Sequence, residues 1–277
     1  MSRTLAAITG ASSGIGAAFA RKLAPEHDLL LVARRREPLM QMAEEFRALF
    51  GTSVEVYPAD LTVEAELERL AARLEGEERL ILLVNNAGFG SRGRFWETPL
   101  EGQDQMHRLH VMATMRLTHA ALRNFVPKNA GALINVASVS AWVRSPGSTS
   151  YSATKSWMTA FTEGLYLELL GLKSNVTVQA LCPGFTYTEF HDRLQINRRR
   201  LAGPAFWMSA EEVVDASLRG LAQRKLFVIP GWRYRLLTAA LSKLPTRARL
   251  FVESAATRNR TRELMGQPDA GRQRITT

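Results

Sequence analysis

A single cysteine, Cys182, stands among 277 residues, so no internal disulfide can brace this chain, and it suits a reducing compartment. Long apolar runs are lacking too: nothing reaches the ~18 consecutive apolar residues of a membrane-spanning helix. The opening MSRTLAAITG has only a five-residue, weakly apolar stretch before a glycine turn, and no secretory signal is visible. These absences predict a cytoplasmic protein. Internal repeats and Pro/Gly/Ser linkers are also missing, so one domain is expected rather than several. What the chain has in quantity, 46% hydrophobic and 22% charged residues, is the composition of a soluble globular protein.

Its charge is unevenly placed. The net charge is +10, yet residues 1–189 carry 19 basic and 19 acidic side chains, while residues 190–277 carry 17 and 7. Such a tail suits nucleic acid, a membrane surface or an anionic substrate, although a solvated face is the commoner meaning, and nucleic acid is not expected. Within it, Leu236, Leu237, Ala240, Leu241 and Leu244 share one helical stripe, with Arg233, Lys243 and Arg247 nearby and Pro245 as a break. The stripe predicts a helix packed on a sheet edge or a partner subunit, with attachment to anionic membranes the secondary reading.

Seven short β-rich apolar runs alternate with helical-length segments: 5–9, 28–33, 53–58, 80–84, 132–138, 176–182 and 226–230. Continuous rather than alternating apolar runs suit strands covered on both faces. The expected fold is therefore α/β, a single doubly wound parallel sheet of seven strands with helices on both faces and ligands at the strands' carboxyl ends. The domain is placed at 1–231, with an irregular insertion near 185–208 that would form a lid, and a basic helical extension at 232–277.

The first strand runs into TGASSGIG (9–16), where Gly10, Gly14 and Gly16 open a helix. Glycines let a backbone approach a pyrophosphate, and the helix N-terminus supplies N–H donors and positive potential. The spacing is G-x-x-x-G-x-G rather than the commoner G-x-G-x-x-G. At the end of the second strand, where an NAD site would carry an acid, the chain reads Ala33-Arg34-Arg35-Arg36. Guanidiniums without a carboxylate suit the 2′-phosphate of NADP.

YSATK (151–155) places Tyr151 and Lys155 four positions apart, neighbours on one helix face. A unit charge at ~4 Å is worth about 4 kcal/mol at an effective dielectric of ~20, enough to lower a phenol's pKa toward neutrality. A phenol so tuned can act as a general acid.

These motifs, in order, resemble the short-chain dehydrogenase/reductase family over roughly residues 4–231. TGASSGIG is similar to the family's cofactor turn, NNAG (85–88) to its motif after the fourth strand, YSATK to its Y-x-x-x-K, and PGFTYT (183–188) to the segment beside the nicotinamide. Ser138, thirteen residues before Tyr151, matches the family's serine, and is preferred to Ser140. The resemblance implies an NADPH-dependent oxidoreductase in which Tyr151 donates the proton, Ser138 holds the carbonyl oxygen, and Lys155 tunes the phenol and binds the nicotinamide ribose. It implies a cofactor site made of Gly10, Ser12, Ser13, Gly14, Ile15, Gly16, Arg34, Arg35, Asp60, Leu61, Asn86, Ala87, Gly88, Tyr151, Lys155, Pro183, Gly184, Thr186 and Thr188. No metal is implied, and a homodimer or homotetramer is.

The substrate is expected to be a bulky apolar ketone or acyl group. Nine of the 22 aromatic residues (Phe89, Phe95, Trp96, Trp142, Phe185, Tyr187, Phe190, Phe206 and Trp207) fall in loops at the sheet's carboxyl edge. The tail resembles the family branch of long-chain 3-oxoacyl and steroid reductases. One departure stands out. Where relatives carry an asparagine that holds a relay water, this chain has His110, expected to take over that water with a lowered pKa. It also gives footing to the alternative reading, a cofactor-binding regulatory protein of the same fold with weak or lost turnover.

Overall fold

The computed structural model describes residues 3–190 and 203–265. Its strands are β1 (Leu5–Thr9), β2 (Asp28–Ala33), β3 (Val54–Pro58), β4 (Leu80–Asn85), β5 (Ala132–Val136), β6 (Thr177–Leu181) and β7 (Phe227–Val228). All pair in parallel, in the order β3-β2-β1-β4-β5-β6-β7. The seven-stranded, doubly wound sheet is as the apolar runs predict.

Parallel strands need crossovers, and the long helices supply them on both faces. These are α1 (Gly14–Leu23), α2 (Arg36–Phe50), α3 (Glu64–Glu75), α4 (Leu100–His107), α5 (Thr114–Lys128), α6 (Thr149–Gly171) and α7 (Ala210–Ala222). Alternation within each strand then divides the core. Ala6, Ile8, Leu29, Leu31 and Val84 pack with Phe19, Leu39 and Val213 on one face. Their neighbours Leu5, Ala7, Leu30, Val32 and Leu83 pack with Leu70, Leu117 and Phe125 on the other. A polar seam pins β4 and β5 to the helices: Asn85 Nδ2 donates to Thr118 Oγ1 (3.1 Å) and Asn135 Oδ1 (2.9 Å), and Asn135 Nδ2 donates to Thr162 Oγ1 (2.9 Å).

Two further helices follow β7: α8 (Trp232–Lys243) and α9 (Thr246–Met265). The expected stripe on α8 is only partly buried within this chain. Leu236, Leu237 and Leu244 are exposed, and the buried positions are Tyr234, Thr238 and Leu241. The rotation is set by a polar anchor rather than by the leucines: the Tyr234 hydroxyl accepts the Phe185 N–H (2.9 Å) and donates to the Phe206 carbonyl (2.7 Å). The middle of the expected lid, residues 191–202, and the end of the tail lie outside the described residues. No described helix is long and apolar enough to cross a membrane.

Candidate active site

The chain leaves β1 toward β2 and β3 on one side, and continues through β4 to β7 on the other. This reversal opens a crevice at the carboxyl ends of β1 and β4, where such sheets bind ligands. Both loops bordering it are built for close approach. Gly10 and Gly14 adopt φ of 65° and 57°, a region that favours glycine. A Cβ on Gly16 would stand 2.3 Å from the Gly10 carbonyl oxygen and 2.5 Å from Asn86 Nδ2, so only glycine fits there. Ser13 precedes α1 as its N-cap, Ser12 lies beside it, and Ile15 packs partly against the core. From the facing loop, Asn86 Nδ2 donates to the carbonyls of Thr9 (2.9 Å) and Gly10 (3.2 Å). The Asn86 and Ala87 N–H groups both donate to Thr9 Oγ1 (3.0 Å each). Strand end, glycine turn and NNAG loop are thus one hydrogen-bonded unit, open toward a helix N-terminus: a cradle that fits a pyrophosphate.

At the far end of this cradle, Arg34 Nη1 lies 3.8 Å from Asp60 Oδ2. Asp60 Oδ1 accepts from the Thr62 N–H (2.9 Å) and hydroxyl (2.7 Å), while Leu61 is buried in the core. Arg35 crosses the turn, donating to the Ser12 carbonyl and hydroxyl (3.4 Å each) and to Glu189 (3.0 Å). From β6, the Pro183 carbonyl accepts the Val139 N–H (3.0 Å), Thr186 Oγ1 donates to the Gly184 carbonyl (3.1 Å), and Thr188 comes against Gly14. The glycine turn, the NNAG loop, the β2 arginines and the segment after β6 thus border one crevice, whereas Leu61 belongs to the core beneath it.

Beside it stand Ser138, Tyr151 and Lys155. Ser138 leaves β5 as the N-cap of a short 3-10 turn (Val139–Ala141), its Oγ accepting the Ser140 N–H (3.1 Å). Tyr151 and Lys155 lie in the first turns of α6, and Lys155 Nζ donates to the Val136 carbonyl (2.7 Å). Here the sequence expectation needs correcting. Burial pushes the Tyr151 phenol up to about 12, with a smaller downward pull from its hydrogen bond to the Ser138 hydroxyl. Burial likewise pushes the Lys155 ammonium down to about 7, against a smaller upward pull from Cys182. Helical spacing brings Nζ to 5.7 Å from the phenol ring, but burial is the largest influence on both groups.

His110 is fully buried in a π-helical stretch, Arg108–Ala113, between α4 and α5; such wide turns often mark functional sites. Its Nε2 lies 3.1 Å from the Phe89 nitrogen and its Nδ1 lies 2.9 Å from Thr154 Oγ1. A backbone N–H can only donate, so Nε2 is the acceptor and Nδ1 carries the proton. Thr154 Oγ1 in turn donates a hydrogen bond to the Tyr151 carbonyl (2.9 Å). With both nitrogens taken, the imidazole has none left for a relay water, and that expectation is corrected too. His110 is instead a brace between the NNAG loop and the helix that carries Tyr151. It also explains Gly88, where a Cβ would come within 2.8 Å of Nε2.

The aromatic lining is smaller than expected. Phe185 and Tyr187 stack on Trp207 (5.2 and 5.0 Å between centroids), Trp142 packs edge-on against Phe227 (5.8 Å), and Trp96 is 77% exposed. Phe190 stands 5.8 Å from the Tyr151 ring and Phe89 stands 6.0 Å from His110. Among the described residues, no group of three or more His, Cys, Asp or Glu could hold a metal ion.

Residues 4–199 match the short chain dehydrogenase family. The chain belongs to the short-chain dehydrogenase/reductase family. A short-chain dehydrogenase from Sphingobium yanoikuyae in complex with NADPH is 34% identical, with 98% of this chain and 99% of that one covered and a TM-score of 0.77. A bulky-bulky ketone specific alcohol dehydrogenase from Comamonas testosteroni is 31% identical, covering 89% and 96%, with a TM-score of 0.75. A third family member, from Burkholderia phymatum in complex with NAD, is 26% identical, covering 88% and 97%, with a TM-score of 0.74.

Tyr234 escaped sequence reasoning altogether. Its one signal, the i, i+4, i+7 set Tyr234, Thr238 and Leu241, is blurred by the threonine and by stronger leucines alongside. Its ring covers Gly184, where a Cβ would meet ring atoms at 2.1 Å, and its hydroxyl ties Phe185 to Phe206, the two ends of the expected lid. These ends also pair directly: Tyr187 N–H donates to the Met208 carbonyl (2.9 Å) and Met208 N–H to the Phe185 carbonyl (3.0 Å). Tyr234→Phe keeps the ring but strands the Phe185 N–H, at a cost of about 1–3 kcal/mol. Steady-state kinetics should show KM for the carbonyl substrate rising several-fold with the cofactor Kd unchanged; an unaltered KM would remove Tyr234 from lid support.

Proposed function

We propose that this oxidoreductase reduces a ketone on a bulky apolar or acyl substrate with NADPH, or oxidises the corresponding secondary alcohol. The observation that carries this reading is the meeting of Tyr151, Ser138 and Lys155 beside a cradle shaped for pyrophosphate. The cofactor supplies the hydride, two electrons delivered to the carbonyl carbon. Ser138 holds the carbonyl oxygen, and Tyr151 supplies that oxygen's proton, since negative charge accumulates there in the transition state. A phenol pushed up to about 12 is protonated at neutral pH, the state a proton donor for reduction requires. Lys155, its Nζ 5.7 Å from the phenol ring, would hold the nicotinamide ribose. Phe190 beside Tyr151 and the exposed Phe95 suit an apolar substrate, and the Comamonas testosteroni enzyme's named preference points the same way. A homodimer or homotetramer would cover Leu167 and Leu170, both 60% exposed on α6.

NADP is preferred over NAD because Arg34 and Arg35 lie at the end of β2 with no acid at Ala33. The test is a panel of ketones with NADPH and NADH, followed by cofactor absorbance. NADPH oxidation by bulky aryl or long-chain ketones is the expected result. Arg34→Ala/Arg35→Ala should weaken NADP⁺ about 10–100-fold, the loss of one or two charge-assisted contacts, and leave NAD⁺ unchanged. Tight binding of both cofactors with no ketone reduced would favour the regulatory alternative.

A further inference from the structure

The proposed 2′-phosphate site already has an occupant. Arg35 Nη2 donates to Glu189 Oε2 at 3.0 Å, across 154 residues of chain, with Ser12 as the floor beneath the pair. Arg34 is differently placed: the nearest Asp60 oxygen is 3.8 Å away, and that carboxylate is held by Thr62. A guanidinium presents its donors in a fixed fork, and an anion that takes them excludes another from the same edge. A carboxylate at this edge carries the charge and the acceptor geometry of a phosphate oxygen pair.

Resting on the reading of Arg35 as a 2′-phosphate ligand, we propose that Glu189 is a specificity-determining residue that competes with that phosphate for Arg35. NADP(H) must displace the carboxylate to reach the guanidinium, and the displaced carboxylate stays close enough to repel it. NAD(H), with a hydroxyl at the 2′ position, leaves the Arg35–Glu189 pair in place and escapes this cost. Glu189 thus narrows the preference that the arginines create.

The pair is about half exposed on each side, with side-chain exposures of 43% and 48%. Exposed ion pairs contribute up to about 1 kcal/mol, so the expected effect is about two- to fivefold in Kd. The experiment is calorimetric titration of the full-length protein, Glu189→Gln, Arg35→Ala and the double variant with NADP⁺ and NAD⁺. Adenosine 2′,5′-bisphosphate and AMP serve as probes without the nicotinamide half. Glu189→Gln should tighten NADP⁺ and the bisphosphate two- to fivefold, leave NAD⁺ and AMP unchanged, and have no effect once Arg35 is alanine.

An equal gain for NADP⁺ and NAD⁺ would overturn the proposal, since the carboxylate would then act on the shared pyrophosphate. If Arg35→Ala weakens NADP⁺ but Glu189→Gln changes nothing, the competition is refuted while the arginine reading stands. If Arg35→Ala leaves NADP⁺ untouched, the arginine reading itself fails and the competition falls with it.

Discussion

Tyr151→Phe should lower kcat for ketone reduction by about 10²–10⁴-fold, the usual contribution of a positioned proton donor. The substitution removes one oxygen and keeps the ring, whose neighbours are His110 at 5.9 Å and Phe190 at 5.8 Å. Packing is therefore preserved, and the hydrogen bond lost to Ser138 costs stability only about 1 kcal/mol. Three measurements separate the chemistry from damage to the fold. Single-turnover NADPH oxidation should collapse, NADPH binding should persist, and the melting temperature should move by only a few degrees. A variant retaining a tenth of the parent rate would mean that Tyr151 is not the proton donor.

The direction of reaction carries its own pH signature. Burial pushes the phenol up to about 12 and the ammonium down to about 7, so at neutral pH the donor is loaded. Reduction needs the protonated phenol, whereas alcohol oxidation needs the phenolate. Oxidation should accordingly rise with pH through the alkaline range while reduction does not.

How much of this was legible in the sequence depends on whether the cause is local. Unbroken runs such as LILLV and DLLLVA announce strands buried on both faces, and the sheet contains them all. The glycine turn is legible because Gly10, Gly14 and Gly16 answer a backbone requirement that no other residue meets. Spacing places Tyr151 beside Lys155, but it says nothing of burial, and burial decides both of their proton affinities. Contacts across long stretches of chain leave no local trace. Glu189 reaches Arg35, Tyr234 reaches Phe185 and Phe206, and His110 reaches Phe89 and Thr154 only in the folded molecule. The face that α8 buries within the chain is illegible for the same reason: a single tyrosine with two distant partners marks it.

His110 tests the brace most directly. His110→Ala removes a fully buried ring and strands the Phe89 N–H, a combination that should cost about 3–5 kcal/mol. For a chain of this size, that corresponds to a melting temperature lower by roughly 10 °C. His110→Asn can restore an acceptor toward Phe89 and a donor toward Thr154, and should recover much of that loss. Acid separates the two polar variants. Burial holds the imidazole well below its ordinary 6.5, helped by the charges of Lys155 and His107. The unfolded chain therefore takes up a proton near 6.5 that the folded one refuses, so stability from this group is complete above 6.5 and drains away as pH falls. One such proton is worth about 1.4 kcal/mol per pH unit, or roughly 3 °C. Below pH 6.5, the parent's melting temperature should fall faster than that of His110→Asn by this amount. Its kcat should show an acid limb that the asparagine variant lacks, because protonated Nε2 would face the Phe89 N–H and break the brace behind Tyr151. Superimposable pH–stability curves for parent and His110→Asn would show that the folded imidazole takes up its proton as readily as the unfolded one, and superimposable pH–rate curves that its charge does not reach the brace behind Tyr151.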